Sequence, residues 1–536
     1  VSIRVVAAAC AVLIAYVCGT TPIAAGSGSS VHFAIGADPQ SLDPLFAHPD
    51  AGGVEAELAR LIFEPFVDID ASGHQIPVLL SRIPTVANGD LSPDGRTIVY
   101  HLRPGVRWHD GVAVDAHDVL FTLHAILDDR NPVRSREGYD RIVAADAIDA
   151  HTVRIQLRAA WAPAVASLFS YGPAPQYVLP AHLLEHEARL DQSAFGAHPV
   201  GNGPFRFVRW ERGDHLEYEA NPQYWRGAPK VDQLEVRIIP DPGANFTALL
   251  SGAIDWSVLS PAQWKSVAQR SDLHFHDVPL AMAVGLALNT RHAPLDDPRV
   301  RRAIAASLDR RAISEKLTFG RYPPMETSQP LQSWAHDANA MQPAYDPLAA
   351  DRALDAAGWI RGADGIRVKA GHRLTLVYTF FPESQTGVRV ATFVERALRA
   401  RGIDVVLKSV SNAKLFLPAA QGGVLASGAF DLAYIPWPLG ADPDDAALLT
   451  CVGALNYGRW CDAEVDRLEA QAQASPDRAT RVRLYGQVQA RTTRDVPIVF
   501  LFDPAYVYAT RPGLTGFAPN AFSATWNAAN WTMAAN

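Results

Sequence analysis

Stretches with the two-residue alternation of a half-buried strand recur along the whole chain, with helix-spaced stretches between them, and this alternation restricts the fold more than any other feature. Ile98 to Leu102, Val153 to Leu157, Leu234 to Ile238 and Leu374 to Tyr378 read as strands. Val300, Ile304, Leu308, Ile313 and Leu317 predict a helix from Val300 to Leu317, for which Asp297-Pro298 supplies a cap and a first-turn proline. Asp346-Pro347 opens another helix in the same way, ended by Gly358, and Asp115 is expected to cap one starting near Ala116. The fold class is α/β with several sheets. Two apolar runs far apart, Ala283 to Leu288 and Ile498 to Phe502, read as crossings between lobes. The chain between them then forms one lobe and the chain outside them the other, with a cleft between.

A length of 536 residues suggests about three packed units, and 48% hydrophobic against 19% charged residues is far from the disordered regime. Lys and Arg (48) are outnumbered by Asp and Glu (56), a net charge of −8, so no nucleic-acid partner is expected. Arg4, the apolar run Val5 to Val17 and the small residues around Ala24-Ala25 have the layout of a secretory signal peptide over residues 1–25. That run of 13 residues is short of the roughly 20 needed to span a bilayer. Cys18 as a lipid-modified cysteine fits less well, because Tyr16 and Val17 before it are bulky. Cys10 and Cys18 leave with the signal, and Cys451 and Cys461 are expected to form one disulfide, since Gly453, Asn456 and Gly458 let the loop turn back. The alternative is a pair of free buried thiols.

No phosphate-binding Gly-x-x-x-x-Gly-Lys-Ser/Thr loop and no Gly-x-Ser-x-Gly elbow after a strand is present. Gly201-Asn202-Gly203-Pro204 leads through Phe205 into a strand, not into the helix a dinucleotide loop needs. His182-Leu183-Leu184-Glu185-His186 has the spacing of inverted zinc peptidases, which puts both imidazoles on one helical face. A zinc hydrolase built on His182, Glu185 and His186 is therefore the alternative of another class. The motif brings no third ligand, and its place after Val178-Leu179-Pro180-Ala181 reads as a surface helix start. No catalytic residue, metal or cofactor is expected.

Leu91 to Leu123, which contains Arg107-Trp108-His109-Asp110-Gly111 and Asp115-Ala116-His117-Asp118-Val119, is locally a scaffold of turns, a strand and a capped helix. As ordered text it strongly resembles family 5 of the bacterial extracellular solute-binding proteins, the peptide receptors of ATP-binding-cassette importers. The likeness continues at Asp38-Pro39-Gln40-Ser41-Leu42-Asp43-Pro44, at Gly201 to Phe205 with Asn221-Pro222-Gln223-Tyr224-Trp225, and at Leu250 to Asp255. It runs on through Asn289-Thr290-Arg291, Asp297 to Arg301, Tyr345-Asp346-Pro347 and Asn456-Tyr457-Gly458-Arg459-Trp460-Cys461. The resemblance implies a two-lobed periplasmic-binding-protein fold, type II and cluster C-like, with an extra subdomain in the first lobe. The corresponding division is 26–285 for lobe I, with the subdomain at approximately 70–195, then 286–497 for lobe II and 498–536 returning to lobe I. It also implies a periplasmic, monomeric receptor without enzymatic activity, handing a di- or oligopeptide to permease subunits and their ATPase. A nickel chelate, haem, an opine or an oligosaccharide is the alternative cargo on the same fold.

Dipeptide receptors of that family set an Asp, shortly after a Trp of the second lobe, against the ligand's ammonium. Here the stretch is Trp437-Pro438-Leu439-Gly440-Ala441-Asp442-Pro443-Asp444-Asp445, with Leu439 and Gly440 where the acid usually lies. Asp442 with Asp444 is accordingly the expected ligand contact, since a buried ammonium needs a paired carboxylate. The other reading is that Asp442, Asp444 and Asp445 only cap the helix through Ala446 to Leu449. Trp437, Trp526 and Trp531 are candidate cleft walls, or else core.

Overall fold

In the computed structural model, which describes residues 29–46, 53–170, 172, 175–440 and 442–534, the chain enters through β1 (Ser30–Ile35), whose Val31, Phe33 and Ile35 are buried in alternation. The expected signal segment, with Cys10 and Cys18, lies outside the described residues. After α1 (Val54–Ile62) the chain builds a three-stranded antiparallel sheet from β2 (Thr97–His101), β3 (Ile142–Asp149) and β4 (Thr152–Leu157), in the order β2-β4-β3. Helix α2 (Ala116–Leu127) lies between β2 and β3 in sequence. It starts where the sequence places it, because the Asp115 side chain accepts from the amides of His117 and Asp118 in a capping box.

The chain then returns through β5 (Phe205–Glu211), β6 (His215–Ala220), β7 (Gln233–Ile238), β8 (Trp256–Leu259) and β9 (His274–Pro279). It crosses into β10 (Met282–Leu288), followed by α3 (Pro298–Ala306), α4 (Arg310–Leu317) and α5 (Pro347–Ala356). Next come β11 (Thr375–Phe380), α6 (Gln385–Ala400), β12 (Asp404–Ser409), β13 (Leu432–Pro438), α7 (Ala463–Ala474), α8 (Arg478–Asp495) and β14 (Ile498–Phe502). The last long strand, β15 (Ala505–Thr510), goes back to the first sheet, whose order is β9-β15-β8-β1-β7-β6-β5. The second sheet runs β12-β11-β13-β10-β14. Each sheet has its own large core, around Phe33, Phe63 and Trp108 in one case and Leu286, Ile304 and Tyr378 in the other. The core of the first sheet extends without a break into β2 and β4, through Tyr100 and Ile155.

Two expectations are corrected. The helix from Val300 to Leu317 is two helices, because Asp309 caps α4 by accepting from the Ala312 amide at 2.9 Å. The step of five from Leu308 to Ile313 breaks the helical period at that point. The runs Ala283 to Leu288 and Ile498 to Phe502 are not the crossings themselves: they are β10 and β14, adjacent antiparallel strands inside the second sheet. The chain passes between sheets in two residues each way, Leu280-Ala281 and Asp503-Pro504, and the Leu280 amide donates to the Pro504 carbonyl at 2.9 Å. A pair of short links hydrogen-bonded to each other is a place where the lobes can bend.

The Gly201-Asn202-Gly203 segment is a packing device. A Cβ on Gly201 would lie 2.0 Å from the Ile62 carbonyl oxygen and one on Gly203 2.7 Å from it, while Asn202 Oδ1 accepts from the Glu64 amide at 2.9 Å. Among the described residues no helix is long and apolar enough to cross a membrane.

Candidate ligand-binding cleft

The segment after β13 carries three acids in a small space, Asp442, Asp444 and Asp445. Leu439 is tied to the crossing, its amide donating to the Ala281 carbonyl at 2.8 Å, so the following turn is held at the mouth between the sheets. Asp442 accepts from the Asp444 amide at 3.1 Å, and both its oxygens are held by the Arg481 guanidinium, Nη1 at 2.7 Å from Oδ2 and Nη2 against Oδ1. Arg481 comes from the first turn and a half of α8, donates also to the Tyr485 hydroxyl at 2.9 Å, and lies 5.3 Å from the centroid of the Trp334 ring. Side-chain exposures of 11% for Asp442 and 6% for Arg481 make this a largely buried ion pair.

Among the described residues no cation pairs with Asp444. It accepts from Gln473 Nε2 at 2.9 and 3.1 Å and from the Ala446 amide at 3.1 Å. Burial, with the neighbouring Asp442 and Asp445 adding to it, pushes its carboxyl up to about 6. Asp445 is fully buried and accepts from the Ser328 hydroxyl and, at 3.0 Å, from Gln329 Nε2. Behind it Glu469 is driven well above the usual carboxylate range, by burial first and then by the neighbouring Asp445. One guanidinium thus stands against Asp442, Asp444 and Asp445, and the site has a surplus of negative charge.

Three cavities meet at Asp442, with volumes of about 880, 240 and 100 Å³. The largest lies between the turn at Asp70 to Gln75 on one side and Trp334, Arg478 and Arg481 on the other. The second lies between Tyr139, Arg141 and Trp161 of the first lobe and Asp444 and Gln473 of the second. Contacts across the mouth include the Ala162 amide donating to the Gln473 carbonyl at 2.6 Å, Gln332 Nε2 to the Leu280 carbonyl at 2.8 Å, and Arg321, which pairs with Asp277 and lies 4.4 Å from the centroid of the Trp264 ring.

The structure brings Asp442 and Asp444 into the cleft and separates the tryptophans from it. Trp437 is 1% exposed in the core of the second sheet, with its indole N–H donating to the Leu455 carbonyl at 3.3 Å, because inward positions of β13 pack against the interior. Trp526 is turned to its own lobe, donating to the Ala518 carbonyl at 2.6 Å, and lines none of the three cavities. Trp531 is fully buried, edge-on to Trp256. Capping by the acids is also real, but falls to Asp444 alone, through the Ala446 amide. The tryptophans that line these three cavities are Trp334 and Trp161, which no sequence pattern marks. Arg481 and Gln473 are equally invisible in one dimension, since they reach the acids from a helix pair some 30 to 40 residues later.

Cys451 and Cys461 are bonded to each other, Cα atoms 4.4 Å apart, and the Cys451 amide donates to Asp466 Oδ1 at 2.8 Å. The disulfide anchors the chain leaving the acidic turn. The expected common helical face of His182 and His186 is absent, because the helix is a single turn, Ala181–Leu184, and His186 lies beyond its end. His182 pairs with Asp110 at 2.7 Å and Glu185 with His117 at 2.9 Å, while His186 is exposed. Among the described residues no group of three or more metal-binding side chains gathers anywhere.

Residues 81–458 match the family model described as bacterial extracellular solute-binding proteins, family 5 Middle. A di/tripeptide-binding protein 2 of Pseudomonas aeruginosa is 28% identical over 520 residues, covering 89% of this chain and 94% of that one. Among solved structures, NikA from Brucella suis in complex with Fe(III)-EDTA is 25% identical with a TM-score of 0.82, covering 94% of this chain and all of that one. The oligopeptide-binding protein AppA from Bacillus subtilis, in complex with a nonapeptide, has a TM-score of 0.77 at 22% identity, covering 95% of this chain and all of that one. The fold is thus the two-lobed α/β fold of periplasmic binding proteins, and the acidic cleft lies in a chain that belongs to the extracellular solute-binding proteins of family 5, non-enzymatic receptors of ATP-binding-cassette importers.

Proposed function

We propose that this receptor captures short peptides outside the cytoplasm and delivers them to a membrane permease and its ATPase, holding the peptide's ammonium on the acidic turn after β13. The observation that carries this reading is the unbalanced charge at Asp444: a carboxyl facing two cavities, raised to about 6 by burial, with amide partners but no cation. A ligand ammonium is the complement that such a group lacks. Asp442, the residue the sequence favours, already has Arg481 on both oxygens, so it orients and shares the charge while Asp444 receives it. The di/tripeptide-binding relative from Pseudomonas aeruginosa supports a peptide cargo.

The test is calorimetric titration with a free-amine peptide and its N-acetylated form. Acetylation is expected to weaken binding to the wild type by about 2 to 5 kcal/mol, and Asp444→Asn to remove most of that difference. Equal affinity of the wild type for both forms would reject an amino-terminal site here. Native mass spectrometry of the protein as purified reports the cargo independently, since a closed cleft retains it.

A further inference from the structure

The acidic turn belongs to the second lobe, and a ligand that closes the protein must also engage the first. The 240 Å³ cavity shows where. Its first-lobe wall carries Arg141, half-buried, with its guanidinium 5.0 Å from the centroid of the Trp161 ring. Among the described residues no carboxylate pairs with Arg141 and no acceptor takes its side-chain N–H groups. Trp161 is 5% exposed, and among the described residues no acceptor meets its buried indole N–H. Glu137 lines the same cavity but is exposed and makes no ion pair with Arg141. Facing them from the second lobe are Asp444 and Gln473. The cavity therefore has an unmatched planar cation and an unpartnered donor on one lobe, and an unmatched acid on the other.

We propose that Arg141, stacked on Trp161, receives the carboxylate of the ligand, so that a short zwitterionic peptide bridges the lobes with its ammonium at Asp444. This rests on the amino-end reading above and adds the opposite end. A guanidinium fork matches a carboxylate bidentately, and stacking on the indole holds the fork in place before the ligand arrives. An extended residue spans about 3.3 to 3.6 Å, so one to three residues reach from an acid to a guanidinium across a cavity of this size. Side chains pass the rim at Asp442 and Ala166, which line both this cavity and the 880 Å³ one. Arg478, 4.8 Å from the Trp334 centroid, is the rival cation, but it stands on the same lobe as the acids and would leave both charged ends there.

The experiment measures binding of Ala-Phe, Ala-Phe amide and N-acetyl-Ala-Phe to the wild type, Arg141→Gln, Arg141→Lys and Arg478→Gln, with thermal melts to verify folding. Amidation is expected to weaken binding to the wild type and to Arg478→Gln by about 10- to 100-fold. Arg141→Gln is expected to bind the free acid as weakly as the amide, and Arg141→Lys to recover part of the preference. Wild-type discrimination retained by Arg141→Gln, or lost in Arg478→Gln, overturns the assignment of Arg141 while leaving the amino-end reading intact. Binding that acetylation does not change overturns the amino-end reading first. Failure of the wild type to bind Ala-Phe overturns both.

Discussion

Replacing Asp444 by Asn should make the protein more stable and a worse receptor. The folded-state value near 6 lies above the ordinary 3.8, so between these pH values the folded protein keeps a proton that the unfolded chain has lost. Stability contributed by this site therefore falls as pH rises through that window and is regained below about 4. A displacement of roughly two pH units corresponds to about 3 kcal/mol, and water reaching the carboxyl from the cleft reduces this to about half. Asn keeps one oxygen for the Ala446 amide but loses one of the two contacts to Gln473, a loss of about 1 kcal/mol. The net expectation is a gain of about 0.5 kcal/mol at pH 7.5, read as a melting temperature higher by about 1 to 2 °C if the second lobe unfolds as a unit. At pH 4 the gain should vanish and the lost Gln473 contact should leave the variant about 1 kcal/mol less stable than the wild type. Differential scanning calorimetry of both proteins at the two pH values decides the matter. A variant less stable than wild type at pH 7.5, or equally favoured at both, would show that Asp444 bears no desolvation cost and holds no charge in reserve for a ligand.

Removal of the Arg481 cation should be far more damaging: Arg481→Met leaves Asp442 buried beside two further acids and is expected to cost about 3 to 5 kcal/mol in chemical denaturation, with Asp442→Leu added to it restoring most of the loss. Reducing Cys451–Cys461, which closes a loop of ten residues, should lower stability by about 2 to 3 kcal/mol, measured as the shift in melting with a reductant. Gly201→Ala should destabilise by about 1 to 3 kcal/mol, because the Ile62 carbonyl cannot move without shifting the end of α1; an unchanged melting temperature would contradict that packing. Free-amine peptide affinity should fall as pH drops from 7.5 to 5, since a protonated Asp444 no longer pairs with an ammonium; a flat profile would point to Asp442 instead. Small-angle scattering should show contraction with ligand about the links Leu280-Ala281 and Asp503-Pro504.

Local chemistry was legible wherever a residue acts on its own neighbours. Asp115, Asp297 and Asp346 cap the helices they precede, and strands at Thr97–His101, Thr152–Leu157, Gln233–Ile238 and Thr375–Phe380 show the alternation that predicts them. The break at Asp309 was legible too, but an apolar series with one wrong step reads as a single helix unless the step is weighed. Site geometry was not legible in the same way. Asp442 stands out as an acid after a tryptophan, yet what decides its role is a guanidinium 39 positions later, and Trp437 next to it points into the core. Period-two burial fixes which side a strand residue faces, not whether that side is cleft or interior.

The order of strands in the first sheet also dictates an order of assembly. Strand β15 lies between β8 and β9, so the sheet that starts with residue 30 is not continuous until residue 510 is in place. The second sheet needs nothing beyond Phe502. A chain made from its amino end therefore has every strand of the second lobe before the first sheet can close: β1, β5, β6, β7 and β8 can pair once residue 259 is made, while β9 waits for β15. Contacts of such long sequence separation form slowly. The late step in the first sheet is therefore the docking of β9 through β15, which joins the two ends of the chain's path only after the second sheet is complete.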